Sequence, residues 1–518
     1  MENEIIGYTI GETRIDELTF LAKEAPKVGD YVKINYDNSE LLGMVESTIQ
    51  GNMALEDILS IEHLEKIREF EDNSSYYILG KIKVLGDIKE LNKDGALKLP
   101  RIPPKPGIPI YRADDEILKE VFGKGHLKIG HLVTRDDVEV KLDVNKLWTR
   151  HLAILAMTGM GKSNTVAVLL RELNKLMDYK NGEGAVLVFD MHGEYRDIYC
   201  NSENLRKHII EPKINIYHID ADDLCDLAGI DPQATKQRPY VARAVKEIKE
   251  KFEEKDFKDA EEYVKAIIEK LRSYMDNEDF KKDVGSIQTA IFRLENMLQF
   301  RKKLITLHYN PVNEIRRCHI NIIPMEELDE NAVDIVVSYI AKEVLDNRKK
   351  IIINEGRHRA KPIFMIFEEA HLIAPQSRKT RAKYHLSRIA REGRKFGVGL
   401  CLVSQRPKTL DAETLSQCSN LIISKLIEPT DQKHVQMASE NLSEDLIKQL
   451  TSLNIGEAII LGPCIKVPAI VKIDKFDGIY GGEDLRIDEI LTGRNNDKGI
   501  VEEDDIEKNA FGDDDLFS

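Results

Sequence analysis

Leu152–Ala–Ile–Leu–Ala156–Met–Thr–Gly–Met–Gly–Lys–Ser163 decides the fold. Leu152 to Ala156 reads as a buried strand, and a helical pattern from Thr165 to Met177 follows the loop. This strand–loop–helix order is the context that a phosphate-binding loop requires. Gly159 and Gly161 let several backbone N–H groups turn toward one anion. Lys162 is expected to reach the β- and γ-phosphates of ATP, and Ser163 to ligate Mg²⁺. The whole run Ala156, Met157, Thr158, Gly159, Met160, Gly161, Lys162, Ser163 and Asn164 is the expected nucleotide cradle, with the helix N-terminus facing the same anion. Ala156 stands where the usual pattern has its first glycine, and its small size preserves the loop.

Outward from this loop, apolar stretches alternate with helical ones, the signature of a parallel sheet. Further strands are expected at Ala185–Phe189, Ile363–Phe367, Val398–Val403 and Leu421–Ser424. Three of them end in candidate site residues. Ile363–Phe–Met–Ile–Phe–Glu–Glu–Ala–His371 closes on two adjacent acids: Glu368 is expected to hold Mg²⁺ through water, and Glu369 to act as general base toward the attacking water. Gln405 follows another strand, placed to sense the γ-phosphate or position water. Asp190 and Glu194 follow Val186–Leu–Val–Phe189; contact with metal-bound water and simple capping of a turn are both open to them.

The first hundred residues read as β, with short strands near Tyr31–Ile34, Tyr76–Leu79 and Lys81–Val84, suited to a small barrel or sandwich. Four prolines in Arg101–Pro109 mark a connector. Between about Tyr240 and Leu307 the chain is Lys/Glu-rich and helically periodic, a helical insertion whose role is either a solvated bundle or a partner-contacting element. Two more strands, Glu457–Leu461 and Ala469–Ile473, suggest a final hairpin. The expected division is a barrel and connector at 1–110, a first ATPase part at 111–239, the insertion at 240–310, a second ATPase part with the hairpin at 311–480, and an acidic tail at 481–518.

At 518 residues, 42% hydrophobic and 32% charged, the chain has material for about three packed domains. Its 75 Lys and Arg against 90 Asp and Glu leave a formal charge of -15. That excludes a protein that coats nucleic acid with its whole surface, but not a local basic one. The charge is uneven: Glu502 to Asp515 carries eight acids and one Lys, whereas His371 to Lys408 carries ten Lys or Arg against one Glu. Arg381 to Phe396 reads as a helix with Leu386, Ile389 and Ala390 inward. Arg388, Arg391, Arg394 and Lys395 lie on the other side, for use as an arginine finger, as DNA-phosphate contacts or as a solvated face. Six scattered cysteines form no CxxC pair, which points to a reducing interior. No signal peptide and no membrane-length apolar run is evident, so a cytoplasmic setting is expected.

In this order, AMTGMGKSN, DMHGEY, FEEAH, IAREGRKFGVGL and VSQRP resemble the HerA family of archaeal hexameric DNA helicase-translocases, relatives of FtsK. The resemblance runs from the β region to the C-terminal GEAIILG…VPAIVKI stretch. It implies an α/β RecA-like P-loop ATPase core with an N-terminal β-barrel similar to that of rotary ATP synthase subunits. It also implies a homohexameric ring with ATP sites between subunits and double-stranded DNA in the pore. By the same likeness, Arg394 is the arginine supplied across the interface and Arg150 a second nucleotide-sensing arginine. A NurA-like nuclease is the implied partner in DNA end resection and repair. Two other readings stand beside it: a nucleotide-dependent assembly scaffold, and a DNA- or protein-pumping ATPase of the same lineage. The pump would need a membrane anchor, and the scaffold would not need both Glu369 and Gln405.

Overall fold

The computed structural model describes residues 4–481 apart from 38, 56–59, 62–75, 95–96, 178–179, 181, 357–360 and 440–441. The expected acidic tail beyond 481 lies outside the described residues.

Six strands form a closed antiparallel barrel: β1 (Ile5–Ile10), β2 (Glu17–Ala22), β3 (Tyr31–Tyr36), β4 (Ser39–Asn52), β5 (Tyr76–Asp87) and β6 (Pro109–Arg112), in the order β1-β2-β5-β4-β3-β6. The two short strands expected at Tyr76–Leu79 and Lys81–Val84 are one continuous strand, β5. The proline-rich connector does not leave the barrel. It leads into β6, which pairs with both β1 and β3 and so closes the cylinder across the expected boundary at 110. Closure removes the free edges that a six-stranded open sheet would expose.

The barrel core is Leu18, Phe20, Val32, Ile34, Leu41, Val45, Ile82, Val84 and Ile110. Phe20 pairs in register with Gly80 on β5, and its ring fills the space a side chain at Gly80 would need. A Cβ there would sit 2.2 Å from the ring. Gly80→Ala should therefore destabilise the protein by about 1–3 kcal/mol through overpacking. The check is the midpoint of urea unfolding; an unshifted midpoint would show that the Phe20 ring can move aside.

Eleven strands make the second sheet. In chain order they are β7 (Leu127–Leu132), β8 (Arg135–Leu142), β9 (Leu152–Leu155), β10 (Ala185–Asp190), β11 (Lys207–Ile209), β12 (Ile320–Pro324), β13 (Ile363–Phe367), β14 (Val398–Ser404), β15 (Asn420–Ile423), β16 (Glu457–Leu461) and β17 (Ala469–Ile473). Their spatial order is β11-β12-β10-β13-β14-β9-β15-β16-β17-β7-β8. The first seven in that order are parallel and the last four join antiparallel. β9, β10, β13 and β14 are buried along their whole length, as expected of parallel strands covered on both faces.

Sequence reading missed β11 and β12 in the parallel block, and β7 and β8 at the antiparallel edge. β12 lies beside β10 although its apolar run is broken by Asn321, which is itself buried. The Asn321 amide donates to the Val186, Arg316 and His319 carbonyls, and its oxygen accepts from the Arg316 N–H. Fully bonded, a polar side chain costs little in that interior.

The insertion holds three helices, Gln237–Lys251, Ala260–Met275 and Val284–Phe300. Each buries one stripe, such as Tyr263, Val264, Ile267 and Leu271, and leaves its charges outward. The barrel is tied to the sheet unit by specific bonds. The Tyr31 hydroxyl donates to the Pro468 carbonyl at 2.7 Å, and Glu46 accepts from the Ser443 hydroxyl at 2.6 Å. All six cysteines are reduced and buried.

Candidate nucleotide site

β9, β10, β13 and β14 all deliver their carboxyl ends to one edge of the sheet, where α/β proteins bind ligands. The loop after β9 turns through Gly159 (φ 76°) and Gly161 (φ 92°), both left-handed, into the helix Lys162–Leu176. A side chain at either glycine would be strained in that conformation. Ala156 is buried at the strand end and donates its N–H to the Ser404 carbonyl. Met160 accepts from the Gly456 N–H, so the loop tip also rests on the turn before β16. The Asn164 side chain is engaged away from the loop. Its amide donates to the Asp474 carbonyl and its oxygen accepts from the Phe476 N–H, stitching the helix start to the chain beyond β17.

Lys162 is buried and bridges the two acids after β13, 2.5 Å from Glu369 Oε1 and 3.2 Å from Glu368 Oε2. Gln405 reaches the same Glu369 oxygen from β14, donating at 2.6 Å, while its own oxygen accepts from the Thr158 hydroxyl at 2.6 Å. The expected Lys162, Glu369, Gln405 and Thr158 thus form one connected chain across three strand ends. Glu369 sits at φ 43°, in the left-handed region that a non-glycine residue enters only at a cost of about 1–3 kcal/mol. This turn points its carboxylate back at Lys162.

Environment separates the two acids. Burial pushes Glu368 up to about 7 against the pull of Lys162. Burial acts on Glu369 in the same sense, but the His371 contact and the Lys162 ammonium outweigh it and hold that carboxyl down at about 2. His371 Nδ1 lies 3.2 Å from Glu369 Oε2 and 3.3 Å from the Ser404 hydroxyl. For Lys162, burial lowers the pKa, yet Glu368 and Glu369 more than compensate and raise it.

Asp190 takes the turn-capping alternative. Fully buried, it accepts the N–H groups of Glu194 at 2.9 Å and Tyr195 at 2.8 Å, so both oxygens are committed to backbone. The turn it caps carries Tyr195, whose hydroxyl donates to Glu368 Oε1 at 2.7 Å. Sequence reasoning did not single out Tyr195 or His371, although DMHGEY and FEEAH contain them.

The donor chemistry suits Mg²⁺ held mainly by phosphates and water. Ser163 offers a hydroxyl and Glu368 a carboxylate. Glu194, whose charge acts on both Lys162 and Glu368, buries Oε2 without a hydrogen-bond partner. Among the described residues no cluster of three His, Cys, Asp or Glu forms a protein-only metal cage.

The basic segment divides into two. Its helix spans Arg381–Glu392 and tightens to a 3₁₀ turn over Gly393–Phe396. Arg388 pairs with Glu392 and Asp346, and Arg391 with Glu413. Their anionic partners come mainly from the helices Glu330–Glu355 and Ala412–Ser416. Arg394 and Lys395 are exposed and have no side-chain partner among the described residues.

Arg150, also exposed, ends the helix Val144–Arg150 next to that turn. His151 joins the two elements. At φ 58°, its buried ring accepts the Leu400 N–H at Nδ1, which leaves Nε2 to donate to the Ala390 carbonyl at 3.0 Å. Burial lowers its pKa to about 4, so the ring is neutral.

Known proteins match this chain along nearly its whole length. Residues 127–344 match the helicase HerA central domain, 6–90 the HAS barrel domain and 352–473 the helicase HerA-like C-terminal domain. A protein described as a probable helicase from Methanocaldococcus jannaschii is 82% identical over 516 residues, covering 100% of this chain and 99% of the relative. The DNA double-strand break repair helicase HerA of Saccharolobus solfataricus is 38% identical over 488 residues, covering 93% of this chain and 94% of that protein. The chain belongs to the HerA helicase family. Its enzyme class is that of an ATP-hydrolysing helicase or translocase. In fold alone it is similar to VirB4 of Thermoanaerobacter pseudethanolicus, with a TM-score of 0.51 at 14% identity over 68% of this chain and 96% of that one. As a HerA family member it keeps the RecA-like core, the barrel and the helical insertion expected from sequence. Among the described residues, no helix is long and apolar enough to cross a membrane.

Proposed function

We propose that this chain is an ATP-driven DNA helicase-translocase that works as a homohexameric ring around double-stranded DNA, processing broken ends with a NurA-like nuclease. The relatives named for DNA double-strand break repair support the DNA substrate and the repair context. The ring reading is carried by one observation: Arg394 and Arg150 stand at the amino ends of β14 and β9, across the sheet from their own phosphate loop. Seven-residue β14 spans about 23 Å at strand rise, farther than an arginine side chain reaches. These exposed guanidiniums suit a neighbour's nucleotide, which makes each ATP site depend on two subunits.

In the hydrolysis we propose, the phosphate loop and Lys162 hold the β- and γ-phosphates, and Ser163 and Glu368 hold Mg²⁺ with its water. Mg²⁺, when bound, neutralises charge on the phosphates. Glu369 takes a proton from the water that attacks the γ-phosphorus as the bond to the ADP oxygen breaks. Lys162 and Gln405 both claim Glu369 Oε1. Turning Lys162 toward phosphate weakens the cation's hold on this carboxylate and makes it a better base. Gln405, bonded to Glu369 and to Thr158 of the phosphate loop, is placed to report that change along β14. The presence of both Glu369 and Gln405 in one hydrogen-bonded chain favours a working ATPase over an assembly scaffold.

The test is steady-state ATP hydrolysis with and without duplex DNA. Stimulation by DNA, lost on raising the salt as phosphate contacts are screened, is the expected result. Hydrolysis indifferent to DNA would sink the motor reading while leaving the ATPase itself intact.

A further inference from the structure

We infer that Tyr195 is a positioning residue that fixes the carboxylate of Glu368 for the metal side of the nucleotide site. The inference rests on the reading of Glu368 as the acid that faces Mg²⁺, and adds a residue to which no role has been given.

The geometry is specific. Tyr195 is fully buried, and its hydroxyl makes one side-chain bond, the 2.7 Å donation to Glu368 Oε1. The other Glu368 oxygen accepts from Lys162. Tyr195 cannot drift, because Asp190 grips its N–H and that of Glu194 from the end of β10. β10 and β13 are adjacent parallel strands with Phe189 opposite Phe367, so the turn after one lies beside the acid that ends the other. Glutamate at this place also needs such a partner. It carries one more rotatable bond than aspartate, and a carboxylate free to swing would lose entropy each time it engaged a hydrated cation. The phenol locks that torsion in advance, as hydrogen-bond partners of metal-side carboxylates do elsewhere. This also gives the backbone bonds of Asp190 a purpose: they build the support for Glu368.

The experiment measures binding of a fluorescent, non-hydrolysable ATP analogue to the full chain, titrated with Mg²⁺ and separately in EDTA. Tyr195→Phe keeps the ring and removes the hydroxyl. It should raise the Mg²⁺ half-saturation about tenfold or more while binding in EDTA is unchanged. Glu368→Asp draws the carboxylate back from the phenol, so in that background Tyr195→Phe should have little further effect, the mark of a coupled pair. An unmoved half-saturation in Tyr195→Phe, with a clear shift in Glu368→Ala, would overturn the role of Tyr195 alone. No shift in Glu368→Ala would overturn the reading of Glu368 beneath it. Equal loss of binding with Mg²⁺ and in EDTA would make Tyr195 a packing residue only and overturn the inference.

Discussion

Glu369→Gln will reduce ATP hydrolysis by about 10²–10⁴-fold while nucleotide still binds. The substitution keeps size and shape, and its amide oxygen can still accept from Lys162, so the left-handed turn at φ 43° and the Gln405 contact have no steric reason to collapse. What it removes is the site's ability to take a proton. At rest Glu369 is held ionised, at about 2 in the grip of His371 and Lys162 despite burial, and it gains basicity when Lys162 turns to phosphate. Glu368 is the poorer candidate because both its oxygens are tied, one to Tyr195 and the other to Lys162. Phosphate release under saturating ATP is the measurement, with equilibrium binding of labelled nucleotide as its control. Near-normal turnover in the variant would remove Glu369 from the base role.

Arg394→Ala will cost a comparable or larger factor, about 10³–10⁵ in turnover, if it completes a neighbour's site as an arginine finger does. The variant should fold normally, since Arg394 is exposed and makes no side-chain bond among the described residues. Its distinguishing test is mixing. Lys162→Ala subunits keep Arg394, and Arg394→Ala subunits keep Lys162. A ring built from both contains interfaces at which an intact phosphate loop meets an intact arginine. Recovery of activity on mixing two inactive preparations is expected. A mixture no more active than its components would mean that Arg394 does not act in trans.

Much of the nucleotide site was legible because its parts are local. A phosphate loop needs glycines, a lysine and a hydroxyl within eight residues, preceded by a strand and followed by a helix, and each requirement is met within Leu152–Met177. The acids of Glu368 and Glu369 were equally clear, since a wholly apolar strand buried on both faces ends abruptly in charge. β12 escaped because Asn321 breaks its apolar run, and only the carbonyls around Asn321 show why a polar residue is tolerated there. β7 and β8 escaped because an edge hairpin with one wetter face carries charges between its apolar residues, and such a pattern reads as surface.

Charge was the least legible quantity. The helix Arg381–Glu392 looked like a continuous basic face, yet all three of its arginines are neutralised by acids more than twenty residues away in sequence. Asp190 could equally have faced metal-bound water or capped a turn, and the turn after it offers two N–H groups that engage both its oxygens.

By itself, then, the sequence determined the chemistry available to this protein: a phosphate-binding loop, a paired acid, a glutamine at a neighbouring strand end and the family to which their order belongs. Those features depend on periodicity and spacing over about ten residues, which a linear chain displays directly. Only the tertiary structure decided which groups meet. Strands far apart in sequence become neighbours, so Tyr195 finds Glu368, Gln405 finds Glu369, and Arg150 and Arg394 are carried to the edge of the sheet away from their own phosphate loop. Those pairings arise from the strand order β10-β13-β14-β9, whose neighbours are not consecutive in the chain, so no local pattern could announce them.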